Sequence, residues 1–411
     1  MLRRRFFGDH EVVNTYSYSA WERAKASVWR ALNNGVDRIR KPIRSPQIFL
    51  VTGNAAEEKV AEVEARLRFL FSHLGDVPKF RRAQKASPLA YLRYRGVAAV
   101  DEAAIPAFLC RHTGWIANLD YDKNYSDGWA LMDLGTALSR KDLDNRISRG
   151  REIFVDRVKQ IKAVGPRPVY LFGTGPSLIL ASQRSFSDGI TVVCNTIVRD
   201  ANIWHELKPA FFAAGDAIYH FGDNLHARTF RADALRRLQE SEGRTLFVYP
   251  ARYDVIIRSE FCDIEELLVP IPMGEHTDVT NNLISRFALP NVPNVLNNLL
   301  LPLGCTLSAD IRLCGFDGRA PNDTGFWSYS SAHAYPELIP TIRNAHPAFF
   351  DALLPKGDES RYVRQTHGDW LDSRLSDAES RGFKFRMLHP SWTPTLNARY
   401  IQDGITREMP A

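Results

Sequence analysis

No stretch of the 411 residues holds the about eighteen uninterrupted apolar residues needed to cross a bilayer. The opening MLRRRFFGDH has no apolar centre of the kind a secretory signal carries. Cysteine is scarce: Cys110, Cys194, Cys262, Cys305 and Cys314 are odd in number and show no CxxC spacing. That pattern argues against a disulfide framework and against a zinc site. The expectation is a reducing, cytoplasmic compartment, with at most peripheral contact at the inner face of the plasma membrane. Two common nucleotide signatures are also missing. A P-loop needs Gly-Lys-Ser/Thr, and a dinucleotide fingerprint needs a third glycine where Leu178 stands.

What the chain does have is 45% hydrophobic residues over a length that allows two or more full cores. The formal charge of +6 is unevenly placed. Residues 1–45 hold ten Lys/Arg against four acids, so the remainder is neutral overall. Interleaved with Phe6, Phe7, Trp21 and Trp29, this basic arm suits an anionic lipid surface, nucleic acid, or a solvated, partly helical extension packed by its aromatics. No motif downstream points to nucleic acid.

Residues 169–195 read as strand, glycine turn, helix and second strand, with Gly173-Thr174-Gly175-Pro176-Ser177 as the turn. Glycines there let the backbone approach a ligand, and Ser177 can cap the following helix, whose amides attract phosphate. Before it, residues 48–51 predict a strand and residues 57–74 a helix, with residues 78–135 hard to assign. Asp120-Tyr121-Asp122 spells DxD, a metal-diphosphate pattern in some sugar transferases and an ordinary turn elsewhere. Residues 143–164 read as an amphipathic helix, stopped by Gly165-Pro166-Arg167-Pro168. The organisation expected is a basic arm (1–45), an accessory or acceptor α/β domain (46–165), a nucleotide-sugar-binding domain (166–400) and a tail (401–411).

Beyond that stop, strands alternate with helices: strands at 210–214, 245–249, 311–314 and 384–388, helices at 203–207, 233–240, 295–303 and 370–381. The fold class expected is α/β, a Rossmann-like, mostly parallel sheet with helices on both faces, preceded by a smaller α/β domain. Ligands bind off the carboxyl ends of such strands. Gly173 to Ser177, Asn195, Asp216, Asp317 and Ser391 all follow strands on that edge.

In order and spacing, Gly173-Thr174-Gly175-Pro176-Ser177-Leu178, Cys194-Asn195, the 311–317 segment and Leu388-His389-Pro390-Ser391 resemble bacterial sialyltransferases that use CMP-sialic acid. They are similar too to CMP-Kdo transferases and to archaeal pterin pyrophosphokinase-like proteins that share the glycine turn. The resemblance covers residues 167–392. It implies a GT-B-like pair of domains, or one Rossmann domain with an accessory, moving a sugar from a CMP donor to a glycan or lipid-linked acceptor in surface polysaccharide synthesis. The glycine turn and Asn195 would hold phosphate and ribose, and Asp317 and Ser391 would line the same nucleotide site. Tyr329 and Tyr335 would stabilise the departing phosphate. His367 is the first candidate base, with His333 and His346 as rivals, because a neutral-range base suits an acceptor hydroxyl. Asp216 is a carboxylate nucleophile, a ribose ligand or a turn cap. No metal or other cofactor is expected. The alternatives are an ATP-dependent pterin pyrophosphokinase and a non-catalytic nucleotide-binding scaffold.

Overall fold

The computed structural model describes residues 36, 47–101, 103–106, 109–110, 113–119, 127–318, 334–345 and 369–402. Two sheets form, and every strand pair in them is parallel. The first has the order β2-β1-β3-β4. Its strands are β1 (Gln47–Val51), β2 (Lys79–Ala83), β3 (Gly96–Ala99) and β4 (Ile116–Asn118). The second has the order β11-β10-β5-β6-β7-β8-β9. It contains β5 (Val169–Phe172), β6 (Ile190–Cys194), β7 (Phe211–Ala213), β8 (Leu246–Pro250), β9 (Leu268–Ile271), β10 (Asp310–Cys314) and β11 (Lys384–Met387). The α/β, Rossmann-like expectation therefore holds.

Strands β5 to β8 are buried along their whole length because helices cover both faces. All four side chains of β5, Val-Tyr-Leu-Phe, are fully buried, and so are Phe211, Phe212 and Ala213 of β7. Each large side chain so buried contributes about 1.5–3 kcal/mol. Edge strand β2, by contrast, carries Arg81 and Arg82 and is half exposed, which blunts pairing with another chain.

Helices are anchored by local chemistry. Asp200 accepts from the Ile203 amide to start Ala201–Leu207, and Asn224 accepts from the Ala227 amide to start Leu225–Glu240. The latter begins eight residues before the expected 233, where the cap lies. The long helix Arg140–Ala163 packs along β9, where a side chain at Gly150 would meet the Pro270 ring at 2.8 Å. Its Phe154 also stacks at an angle on Phe211 of β7, 5.8 Å between centroids. The first sheet's helix Glu57–His73 meets Asp254–Glu260 from the second, where His73 Nε2 lies 3.0 Å from Glu260 and Arg231 donates to the same carboxylate at 2.7 Å. One apolar core runs through both sheets.

Two local expectations are corrected. The segment after the glycine turn is a run of 3-10 turns, Pro176–Gln183, not an α-helix, and its cap position is Gly175, with no side-chain cap bond. Ser177 lies inside the first turn, and its hydroxyl goes elsewhere. No described helix is long and apolar enough to cross a membrane.

Candidate functional site

In the second sheet the chain runs from β5 outward through β6 to β9, then returns to the other side of β5 as β10 and β11. The direction of winding reverses between β5 and β10, the place where doubly wound sheets open a crevice at their carboxyl ends. The turn Gly173 to Ser177 and the segment Gly315 to Asp317 face each other there.

They close on one another as a clasp. The Gly173 amide donates to the Cys314 carbonyl at 2.8 Å and the Gly175 amide to the Gly315 carbonyl at 2.9 Å. The Ser177 amide lies 3.2 Å and 3.3 Å from the two Asp317 carboxylate oxygens, and the Ser177 hydroxyl donates to the same carboxylate. A Cβ on Gly173 would run into the Gly315 carbonyl, and one on Gly175 into Asp317 Oδ2. These glycines are thus required by a backbone-to-backbone approach. The amides of Gly173, Gly175 and Ser177, expected to face a phosphate, face the protein's own carbonyls and carboxylate, and Asp317 is 6% exposed.

The loop after β11 locks the clasp from behind. Ser391 Oγ donates to the carbonyls of Phe316 and Asp317 at 2.8 and 3.1 Å. His389, fully buried, accepts the Gly315 amide on Nε2 at 2.7 Å, so its hydrogen sits on Nδ1, 2.7 Å from the Pro390 carbonyl. Sequence reading placed Ser391 at the ligand, and the structure makes it a brace for the loop that carries Asp317.

Beside the clasp the edge is different. Asn195, directly after β6, adopts a left-handed backbone with φ 49°, and its Oδ1 is buried with no hydrogen-bond partner. Strain together with an unmet acceptor costs stability, and such positions cluster where a ligand completes the bonding. One strand further, Asp216 follows β7. Its Oδ1 accepts from the amides of Ile218 and Tyr219 at 2.8 and 2.7 Å. Burial pushes its pKa from the usual 3.8 up to about 6, against the pull of those two amides. His220 accepts the Asp216 amide on Nδ1 at 3.1 Å, and burial, with His226 and Arg231 beside it, pushes its pKa well down.

Tyr335 is brought elsewhere. Its hydroxyl donates to Asp233 on the helix Leu225–Glu240 at 2.7 Å, its ring lies under the Arg199 guanidinium at 4.9 Å, and it is 2% exposed. The expected role at a departing phosphate is not available to a hydroxyl so committed. Burial, then the Asp233 hydrogen bond, raise its pKa. Tyr329, His333, His346, His367, the DxD at 120–122 and the basic arm lie outside the described residues, save position 36 of the arm.

Sequence reading missed one polar element on this edge. The helix expected at 295–303 opens with a π turn, Leu296–Leu300, and Leu299 would lie 3.0 Å from a Cβ on Gly215 at the end of β7. Asn298 Oδ1 in that turn is buried without a partner, and π turns recur at functional sites. The run Asn294 to Asn298, rich in asparagine, was the available signal.

A separate cavity of about 390 Å³, lined by Asp278, Thr280, Asn281, Arg286, Arg381 and Phe383, lies beside the start of β11, at the opposite, amino edge. Among the described residues, no group of three or more His, Cys, Asp or Glu side chains is placed to hold a metal ion. No protein-family profile, no curated protein and no solved structure matches this chain.

Proposed function

We propose that the chain is a glycosyltransferase that takes a sialic acid- or Kdo-type sugar from a CMP donor and passes it to a glycan or lipid-linked acceptor. The donor lies along the carboxyl edge of the seven-stranded sheet. The observation that carries this reading is Asn195, whose strained backbone and unpartnered buried oxygen stand at the end of β6, next to the winding reversal. An acceptor oxygen held there suits a ribose or sugar hydroxyl.

In the reaction the bond from the anomeric carbon to the CMP phosphate oxygen breaks, CMP leaves with that electron pair, and the acceptor oxygen bonds the anomeric carbon. The acceptor's proton must go to a base. Asp216 fits that role: one oxygen is fixed by two amides, and a pKa near 6 makes it ionised yet basic at neutral pH. The contact with anionic membrane through residues 1–45 belongs to the same proposal, since lipid-linked acceptors are found there.

Calorimetric titration with CMP, CDP, ATP and NAD, with and without magnesium, tests the reading. It expects metal-independent CMP binding, and binding of the intact CMP-sugar weakened about tenfold or more by Asn195→Ala. Asp216→Asn should leave that affinity unchanged and lower turnover with CMP-sialic acid or CMP-Kdo by about a hundredfold or more. Preference for ATP with magnesium would instead mark a pyrophosphokinase. A second reading, a scaffold without chemistry, is favoured by the clasp, whose amides are already satisfied within the protein. Nucleotide binding without turnover of CMP-sialic acid or CMP-Kdo would favour it.

A further inference from the structure

A nucleotide along the carboxyl edge of the seven-stranded sheet can lie in either of two directions. Large apolar side chains exposed at this edge stand on both flanks of the clasp: Ile179 in the turns after β5, 62% exposed, and Trp392 in the loop after β11, 36% exposed. Trp392 is the most exposed aromatic side chain among the described residues. An indole ring offers a flat face on which a nucleotide base can stack.

The backbone that carries it is fixed. The Trp392 amide donates to the Asp317 carbonyl at 2.6 Å, the Ser391 amide to Asn397 Oδ1 at 3.1 Å, and the Thr393 amide to Ser391 Oγ at 3.1 Å. The flanking Ser391 and Thr393 are 4% and 1% exposed, so the tryptophan stands out between two buried neighbours. A ring held on a rigid loop loses little entropy when a flat partner stacks on it.

Trp392 follows β11 and Asn195 follows β6, with β10 and β5 between them. Three strand spacings put the carboxyl ends of β11 and β6 about 14 Å apart, with the Trp392 amide tied to the Asp317 carbonyl beyond β10 on that span. That is about the span of a base, its ribose, its phosphate and the sugar beyond.

Resting on the donor reading, we propose that Trp392 is the platform on which the nucleotide base stacks, so that the donor runs across the clasp from β11 toward β6. The base sits at Trp392, and the ribose and phosphate cross above Gly175 and Asp317. The transferred sugar then reaches Asn195 and, one strand on, Asp216. Asp317 is thereby covered by the ligand without contacting phosphate through the glycine-turn amides.

The test is calorimetry of cytidine, CMP and ribose 5-phosphate against the wild type, W392A, W392L and W392F. Stacking of one base predicts that W392A weakens cytidine and CMP alike by about tenfold, with ribose 5-phosphate unchanged and W392F close to wild type. W392L keeps apolar cover without a stackable ring and gives the same answer should W392A fail to fold. Unchanged cytidine affinity in both W392A and W392L would overturn the platform while leaving the donor reading intact. An equal loss for ribose 5-phosphate would do the same, showing a general disturbance of the loop. If the wild type binds none of the three ligands, the donor reading itself fails and the platform with it.

Discussion

The two sheets build the same corner, once open and once closed. In the first sheet β1 has β2 on one side and β3 on the other, and in the second β5 has β6 and β10. Each of these central strands ends in a glycine turn, and each partner strand, β3 or β10, is followed by an aspartate whose carboxylate reaches that turn. In the open corner Asp101 is solvent-accessible, 3.5 Å from the Asn54 amide and 3.1 Å from the Ala103 amide. In the closed one Asp317 is buried, with the Ser177 amide and hydroxyl both upon it. The difference teaches what a glycine turn of this kind is for. Bringing two strand ends together at a winding reversal already demands glycine and an acceptor for stray amides. Ligand binding is an additional property, which would need groups that this packing leaves unsatisfied, such as Asn195 Oδ1.

The largest expected effect comes from filling the closed corner. Gly175→Val would drive its Cβ into Asp317 Oδ2 and, at 2.8 Å, against the Gly315 carbonyl, and both are held by the core. A loss of about 3 kcal/mol or more is expected from urea midpoints. In the open corner Gly53→Ala meets Asp101 Oδ2 at 2.8 Å, but that side chain can swing into water, leaving mainly the cost of φ 56°. About 1–2 kcal/mol is expected. Equal losses would mean that both corners are equally tight, and the comparison would fail.

Asp216 sharpens the comparison by adding a carboxylate whose charge is disfavoured. Its pKa is raised in the folded state, so the fold binds the proton more tightly than the unfolded chain does. The resulting stability is fully present below pH 3.8 and is lost as pH rises through about 6. Wild type should therefore lose up to about 3 kcal/mol across that window relative to Asp216→Asn, whose amide oxygen can still accept both backbone bonds. Urea midpoints of the two proteins from pH 4 to 7.5 check this. A difference that stays flat with pH would show that Asp216 titrates as a surface carboxylate.

Much of this fold was legible in the sequence, because buried parallel strands are short apolar runs ended by turn residues, as in Val169–Phe172. β9 escaped notice because Pro270 interrupts it, and proline is tolerated there only because β9 is an edge strand. The site was less legible. Gly173, Gly175, Asp317 and Ser391 are legible as a group, since each ends a strand or opens the loop beyond it, and hydrogen bonds tie these segments together. Their partners, however, are long-range contacts between residues about 75 to 140 positions apart, which local pattern does not encode. Asn195 was visible by place, but its left-handed backbone and unmet oxygen belong to the packed structure alone.

The smallest effect tests the corners through their carboxylates. In Asp317→Asn an amide nitrogen must face either the Ser177 hydroxyl or its amide, so one buried donor loses its charged acceptor. That should cost about 1–3 kcal/mol. Asp101→Asn keeps an oxygen for the Ala103 amide in a position where water replaces whatever is lost, and less than about 0.5 kcal/mol is expected. Urea midpoints at one pH compare the two directly. A loss at Asp101 as large as that at Asp317 would show the first corner to be closed in solution, and the first sheet's glycine turn would then be a clasp of the same kind.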